Sequence, residues 1–376
     1  MKLAFLSPLY VRQGPFASVY LDTSQDVENP RRAIELRWRH LRHRLEAQGV
    51  DLPTVDAVAR AVGAIGPVVP GPQGEAIFAT HGRAVLVERL PLPPARDSAR
   101  FAMLPDAMPL AVQHAPDIPY VAAVVRRVPE TGPRPSQQEL EMHTQAGRWP
   151  TVRVAGGAPA VRRFPADQWP HDVVQAAAEL AKLAADAAAE TIVISGDAWA
   201  RGVLAHNIPR HLRDRVNGVS TQGPVELAGP VLLEQELDYL FQRRLTVDDQ
   251  AGVDGFLARR ARGTGVAEGL MEVIAALRAG QAAALLINGT MDPSTRLWVG
   301  VAPRQLALSE EELRAYGVQP CWQEPADAAL IRAVVGTRAE LIVVRGVELS
   351  MTDGLGALLR YSSKAACSRS GIRGAT

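Results

Sequence analysis

Six arginines (Arg31, Arg32, Arg37, Arg39, Arg42 and Arg44) lie between positions 31 and 44, with Glu35 as the interleaved acid. Guanidinium groups present forked N–H donors that match phosphate oxygens, so this cluster has the chemistry of a phosphate-contacting surface. A second basic element, Arg162-Arg163, closely follows the loop Val154-Ala155-Gly156-Gly157-Ala158-Pro159. Paired glycines allow positive φ and close approach to a ligand, because no Cβ intervenes. Ala158, beside them, has neither donor nor acceptor on its side chain. His40 and His43 have H-x-x-H spacing without a further ligand nearby, so no metal site is expected there.

The elements that must position these groups are legible as periodicities. Ile34, Trp38, Leu41 and Leu45 form one apolar stripe, which predicts a helix over 31–48. Arg31, Arg32, Arg39 and Arg42 fall on one side of the stripe, Arg37 and Arg44 on the other. Behind the Gly-Gly loop, Val173, Ala177, Leu180 and Ala184 predict a helix from His171 to Ala189, followed by a buried strand from Thr191 to Asp197. That pair would give the loop a rigid base.

A strand at 18–22, a hairpin through His81-Gly82-Arg83 and a strand at Tyr120–Val125 predict an α+β domain over residues 1–135. Residues 136–150, in a polar stretch flanked by prolines, read as a linker. Beyond it, 151–228 reads as a central α/β domain carrying the Gly-Gly loop. Over 229–376, helices at Leu232–Arg244, Val266–Ala279 and Ala326–Val335 alternate with strands at 283–287 and 341–344, which argues for a second α/β layer.

At 376 residues the chain is long enough for two or three domains. Its net charge of +1 leaves any nucleic-acid binding to local patches rather than to the whole molecule. Two cysteines, Cys321 and Cys367, offer no disulfide framework. No run is apolar and long enough to span a membrane, and the apolar start is too short for a signal peptide, so a cytoplasmic protein is expected. Phosphate-loop, H-E-x-x-H, C-x-x-C and G-x-S-x-G patterns are missing. Gly263-x-Gly265-x-x-x-Gly269 has one residue too many for a dinucleotide fingerprint. No cofactor is expected.

The order of these features resembles the archaeo-eukaryotic class-1 peptide release factors and their relative Pelota. Gly156-Gly157-Ala158, the basic segment and the helix leading into Ile192-Val193-Ile194-Ser195-Gly196 resemble the family's Gly-Gly-Gln loop and central domain. The stretch from Gly265 to Ile287 is similar to the opening of its C-terminal domain. Asp353-Gly354-Leu355-Gly356-Ala357-Leu358-Leu359-Arg360-Tyr361 is similar to that domain's glycine-rich ending. Within the family the chain most resembles the bacterial branch that includes the ribosome hibernation factor Balon. The resemblance implies three domains: an N-terminal one reaching the decoding centre, a central one reaching the peptidyl-transferase centre, and a C-terminal L7Ae-like α/β sandwich. It also implies ribosomal RNA of both subunits as the partner of Arg31, Arg32, Arg37, Arg39, Arg42, Arg44, Arg162 and Arg163. A translational GTPase resembling elongation factor Tu is a further implied partner; no membrane or DNA partner is expected.

Two departures bear on activity. Ala158 stands where these factors carry the glutamine that positions water at the peptidyl-tRNA ester, and no Asn-Ile-Lys-Ser-like stop-codon motif occurs in the first third. Correct orientation of a nucleophile accounts for several kcal/mol of catalysis, which a methyl group cannot replace. The expectation is therefore a non-hydrolytic, non-enzymatic factor that occupies the vacant aminoacyl site as a hibernation or stress factor. Two alternatives remain: a rescue hydrolase using Gln168 or His171, and an RNA- or protein-binding module unrelated to ribosomes.

Overall fold

The computed structural model describes residues 1–26, 28–64, 72–129, 138–150, 160–218, 237–241, 244–288, 291–344 and 349–361. These form a mixed α/β fold with four sheets, divided by contacts into two compact units. One unit comprises 17–101 and 109–247; the other comprises 1–16, 102–108 and 248–376. In chain order, a one-turn helix α1 (Ser7–Tyr10) is followed by β1 (Phe16–Asp22), α2 (Pro30–Ala47), α3 (Leu52–Ala61), β2 (Gly74–Thr80), β3 (Arg83–Leu90), β4 (Ser98–Ala102) and α4 (Met108–His114).

Strands β1 to β4 form a sheet of order β3-β2-β1-β4. Alternation along β1 sends Ala17, Val19 and Leu21 to one face, where they share a core with Leu41 and Leu45 of α2 and with Val55 and Val58 of α3. Burying each of those leucines contributes about 1.5–3 kcal/mol. The other face carries Tyr20, whose ring meets Phe78 edge-on at 6.0 Å and whose hydroxyl accepts from the Leu110 amide at 3.2 Å.

The second sheet of this unit has the order β7-β6-β5-β8-β9. It comprises β5 (Ile118–Pro129), β6 (Gln138–Trp149), β7 (Ala160–Pro165), β8 (Thr191–Gly196) and β9 (Val216–Gly218), with α5 (Trp169–Asp186) and α6 (Ala198–Asn207) packed on one face. β5 is central, antiparallel to β6 and parallel to β8. This corrects two expectations. Residues 136–150 are not a linker, because Gln138–Trp149 pair along the whole length of β5. A boundary at 135 also fails, because β5 shares its sheet with β6, β7 and β8. The pattern of β6 explains this: Leu140 and Met142 enter the core while Glu139 and Glu141 alternate with them.

In the other unit, β10 (Val266–Glu268), β11 (Ala282–Ile287), β15 (Glu340–Val343) and β16 (Leu355–Leu359) form a sheet of order β10-β16-β11-β15. Helices α7 (Val247–Ala261), α8 (Leu270–Arg278) and α10 (Ala326–Thr337) each contribute buried apolar side chains to this unit. A three-stranded sheet of β12 (Arg296–Val299), β13 (Leu306–Ala307) and β14 (Trp322–Pro325) adjoins the short α9 (Glu310–Ala315). The helix expected from Val266 begins instead at Leu270, because 266–268 pair with β16. Its first turn is capped by Asp353, whose carboxylate accepts from the Leu270 amide at 3.0 Å.

The glycine-rich ending thus has a structural role. A Cβ on Gly356 would lie 2.8 Å from Met351 Sδ and from the Phe256 ring, so a glycine lets both pack onto the strand. Arg360 donates to the carbonyls of Ala282 at 3.1 Å and Thr337 at 2.9 Å, tying β16 to β11 and to the end of α10. Among the described residues, no helix is long and apolar enough to cross a membrane.

Candidate nucleic-acid interface

Helix α2 begins at Asn29, whose side chain accepts from the Arg32 amide at 3.3 Å, with Pro30 in the first turn. Its stripe is buried as expected: Leu41 and Leu45 are inaccessible, and Ile34 and Trp38 pack against the same core. The arginines divide into two sets. Arg37 bridges Asp22 at 2.8 Å and Asp97 at 3.6 Å. Arg42 bridges Glu46 at 2.9 Å, with Asp56 at 3.9 Å, and the Glu46 hydrogen bond is the main cause raising its pKa.

Arg31, Arg32 and Arg39 are exposed and Arg44 is half-buried; none of the four pairs with an acid among the described residues. A guanidinium already held by a carboxylate must give up that partner to bind phosphate, whereas an unpaired one exchanges only water. The exposed trio is therefore the best-suited phosphate-binding subset. His40 and His43 are also exposed, and no group of potential metal ligands occurs among the described residues.

Arg162 and Arg163 lie on β7, which pairs with β6 in the register Met142 to Arg162 and Glu141 to Arg163. Arg162 pairs with Glu179 of α5, and its guanidinium lies 5.5 Å from the centre of the Phe164 ring. Arg163 bridges Glu141 at 3.0 Å, and Glu141 also hydrogen-bonds His143 Nε2 at 2.5 Å. Both arginines thus join β7 to its neighbours, a role the sequence did not reveal because Glu141 and Glu179 are remote in the chain.

The His143 hydrogen bond, then those of Arg163, hold the Glu141 carboxyl below its ordinary pKa of 4.5. A group depressed in this way stabilises the fold fully above its ordinary value and loses that contribution as pH falls through the depressed one. Glu141→Gln is expected to cost about 0.5–1.5 kcal/mol at neutral pH. The variant should also lose less stability than the parent on acidification below 4.5. Urea unfolding at neutral and acid pH checks both points; equal acid sensitivity would remove Glu141 from the account.

Gly156, Gly157 and Ala158 lie outside the described residues, between Pro150 and Ala160. The flanks of that connection are well defined. Trp149 is buried, its Nε1 donates to Asp238 Oδ1 at 3.1 Å, and its ring lies 5.8 Å from that of Phe241 in the helical stretch 237–241. Phe241 also meets Tyr120 of β5 at 5.8 Å. This aromatic anchor was missed by sequence reading, although the expected helix at 232–244 contained part of it. On the other flank, β7 leads to Gln168 and His171 at the start of α5, both exposed.

Residues 119–262 match the family described as bacterial archaeo-eukaryotic release factor family 2. Over this segment the chain is similar to the release-factor superfamily. The matched segment starts inside β5, in agreement with the assignment of that strand to the β5–β9 sheet. The chain is also similar to uncharacterized protein Rv2629 of Mycobacterium tuberculosis strain H37Rv, 29% identical over 374 residues that cover 94% of this chain and 96% of the relative. Among solved structures it is similar to Archaeoglobus fulgidus Pelota, with a TM-score of 0.37, 13% identity, and coverage of 78% of this chain and 80% of the other. The archaeal translation termination factor aRF1 gives a TM-score of 0.22 and 14% identity over 95% of this chain and 96% of the other.

Proposed function

We propose that this protein is a ribosome-binding, release-factor-like hibernation or stress factor that occupies the vacant aminoacyl site without hydrolysing peptidyl-tRNA. One observation carries the reading: in a chain with a release-factor segment at 119–262, the loop ahead of β7 reads Gly156-Gly157-Ala158. A release factor needs an amide there to orient water; a methyl group offers none. The exposed Arg31, Arg32 and Arg39 then contact ribosomal RNA phosphates, and an L7Ae-like region in the C-terminal part receives a translational GTPase resembling elongation factor Tu. In this reading the protein acts in the cytoplasm and belongs with the Balon-like branch.

A hydrolase acting through Gln168 or His171 is less favoured. Both residues come after the whole length of β7, which at about 3.3 Å per residue spans about 17 Å from Ala160 to Pro165. Sedimentation with ribosomes whose aminoacyl site is vacant tests the binding. Co-migration at low salt that weakens as salt rises is expected; a protein left at the top of the gradient would overturn the proposal.

A further inference from the structure

In the unit formed by 1–16, 102–108 and 248–376, a cavity of about 290 Å³ opens among Leu9, Phe16, Leu104, Val301, Trp322 and Arg332. Leu9, Phe16 and Leu104 are buried and give it apolar walls, while Met103, 39% exposed, stands at its mouth. Tyr10, Arg12, Gln13 and Arg332 are the polar side chains of the lining, and Arg332 is the deeply buried cation among them. It projects from the almost wholly buried helix α10 and is itself only 7% exposed.

Its Nη1 donates to the Gly300 carbonyl at 2.8 Å and its Nη2 to the Val301 carbonyl. These two neutral acceptors hold the guanidinium in place with two of its five N–H donors. It makes no ion pair with a described residue. Glu324, also buried, accepts from Trp322 Nε1 at 3.0 Å and acts on Arg332 over a longer range, as does Tyr10. Burial outweighs both and pushes the Arg332 pKa down. Withdrawing a cation from water costs several kcal/mol unless an anion meets it. Here the cation borders a mostly apolar space.

We propose that this cavity binds a small organic carboxylate with an aromatic or branched apolar body, its carboxylate paired with the Arg332 guanidinium. The planar fork matches a carboxylate in two parallel hydrogen bonds, and the walls remove the carbon body from water. The volume is at the small end of the range for ligand cavities, about 300–1,000 Å³, which favours a one-ring acid over a dinucleotide. The site is independent of the ribosome reading and stands or falls separately.

Calorimetric titration of the full chain with 3-phenylpropionate, and with its uncharged counterpart 3-phenylpropanol, tests the proposal. Saturable binding of one acid per chain is expected, about ten-fold or more tighter than the alcohol, the margin of one charge-assisted hydrogen bond. Arg332→Gln should remove that margin. If that variant fails to fold, Met103→Trp decides: it fills the mouth from a partly exposed position and should abolish binding while the melting temperature stays near the parent's. Absence of saturable binding, equal affinity for acid and alcohol, or undiminished binding by a folded Met103→Trp protein would overturn the assignment.

Discussion

Gly196→Ala is expected to cost at least about 3 kcal/mol of stability. Gly196 ends β8 with φ of +106°, a conformation L residues rarely adopt, and a Cβ there would lie 1.9 Å from the Val125 carbonyl oxygen. That oxygen cannot easily retreat, because it accepts the Asp197 amide at 2.8 Å within the paired β5 and β8. The strain would spread into the start of α6, where Asp197 accepts from the Ala200 amide at 2.9 Å and bridges Arg127 at 2.6 Å. Urea unfolding measures the loss, and stability within about 1 kcal/mol of the parent would mean that β8 does not press on β5 as described.

Removing Arg31, Arg32 and Arg39 together should weaken ribosome association about ten-fold to a thousand-fold near physiological salt. It should also reduce the slope of log affinity against log salt by up to about 3, roughly one for each lost phosphate contact. Stability should change little, because all three side chains are exposed and lack a carboxylate partner among the described residues. Arg37→Ala should behave in the opposite way. It releases Asp22 and Asp97, lowering stability while leaving affinity nearly intact. Filter binding across a salt series, with thermal melts alongside, distinguishes the two. Unchanged affinity in the triple variant would take α2 out of the interface.

The contrast between these arginines marks how far the sequence could be read. The 3.6-residue period placed Leu41 and Leu45 in the core and the arginines outside it. It set Arg37 and Arg39 on opposite sides of the stripe but could not show that Arg37 is held by carboxylates, because Asp22 at the end of β1 and Asp97 just before β4 are brought to it only by the fold. Strand β6 was legible in the alternation of Leu140 and Met142 with Glu139 and Glu141, but flanking prolines and a polar composition gave the same segment the look of a linker. Val266–Glu268 carried too short a signal to be told from the first turn of a helix; the pairing partner that decides it, β16, lies some ninety residues away. The glycine-rich ending was recognised as a pattern, yet its physical cause, Phe256 and Met351 against Gly356, required coordinates. Residues 156–158 remain a sequence argument, since they lie outside the described residues.

The central claim is binding without cutting, and one reaction tests it most directly. Ribosomes carrying labelled peptidyl-tRNA beside a vacant aminoacyl site are saturated with the protein, pelleted, and assayed for free peptide. The account predicts protein in the pellet and release no faster than in its absence, because Ala158 supplies no group to orient water. Rapid peptide release by the bound protein would contradict it.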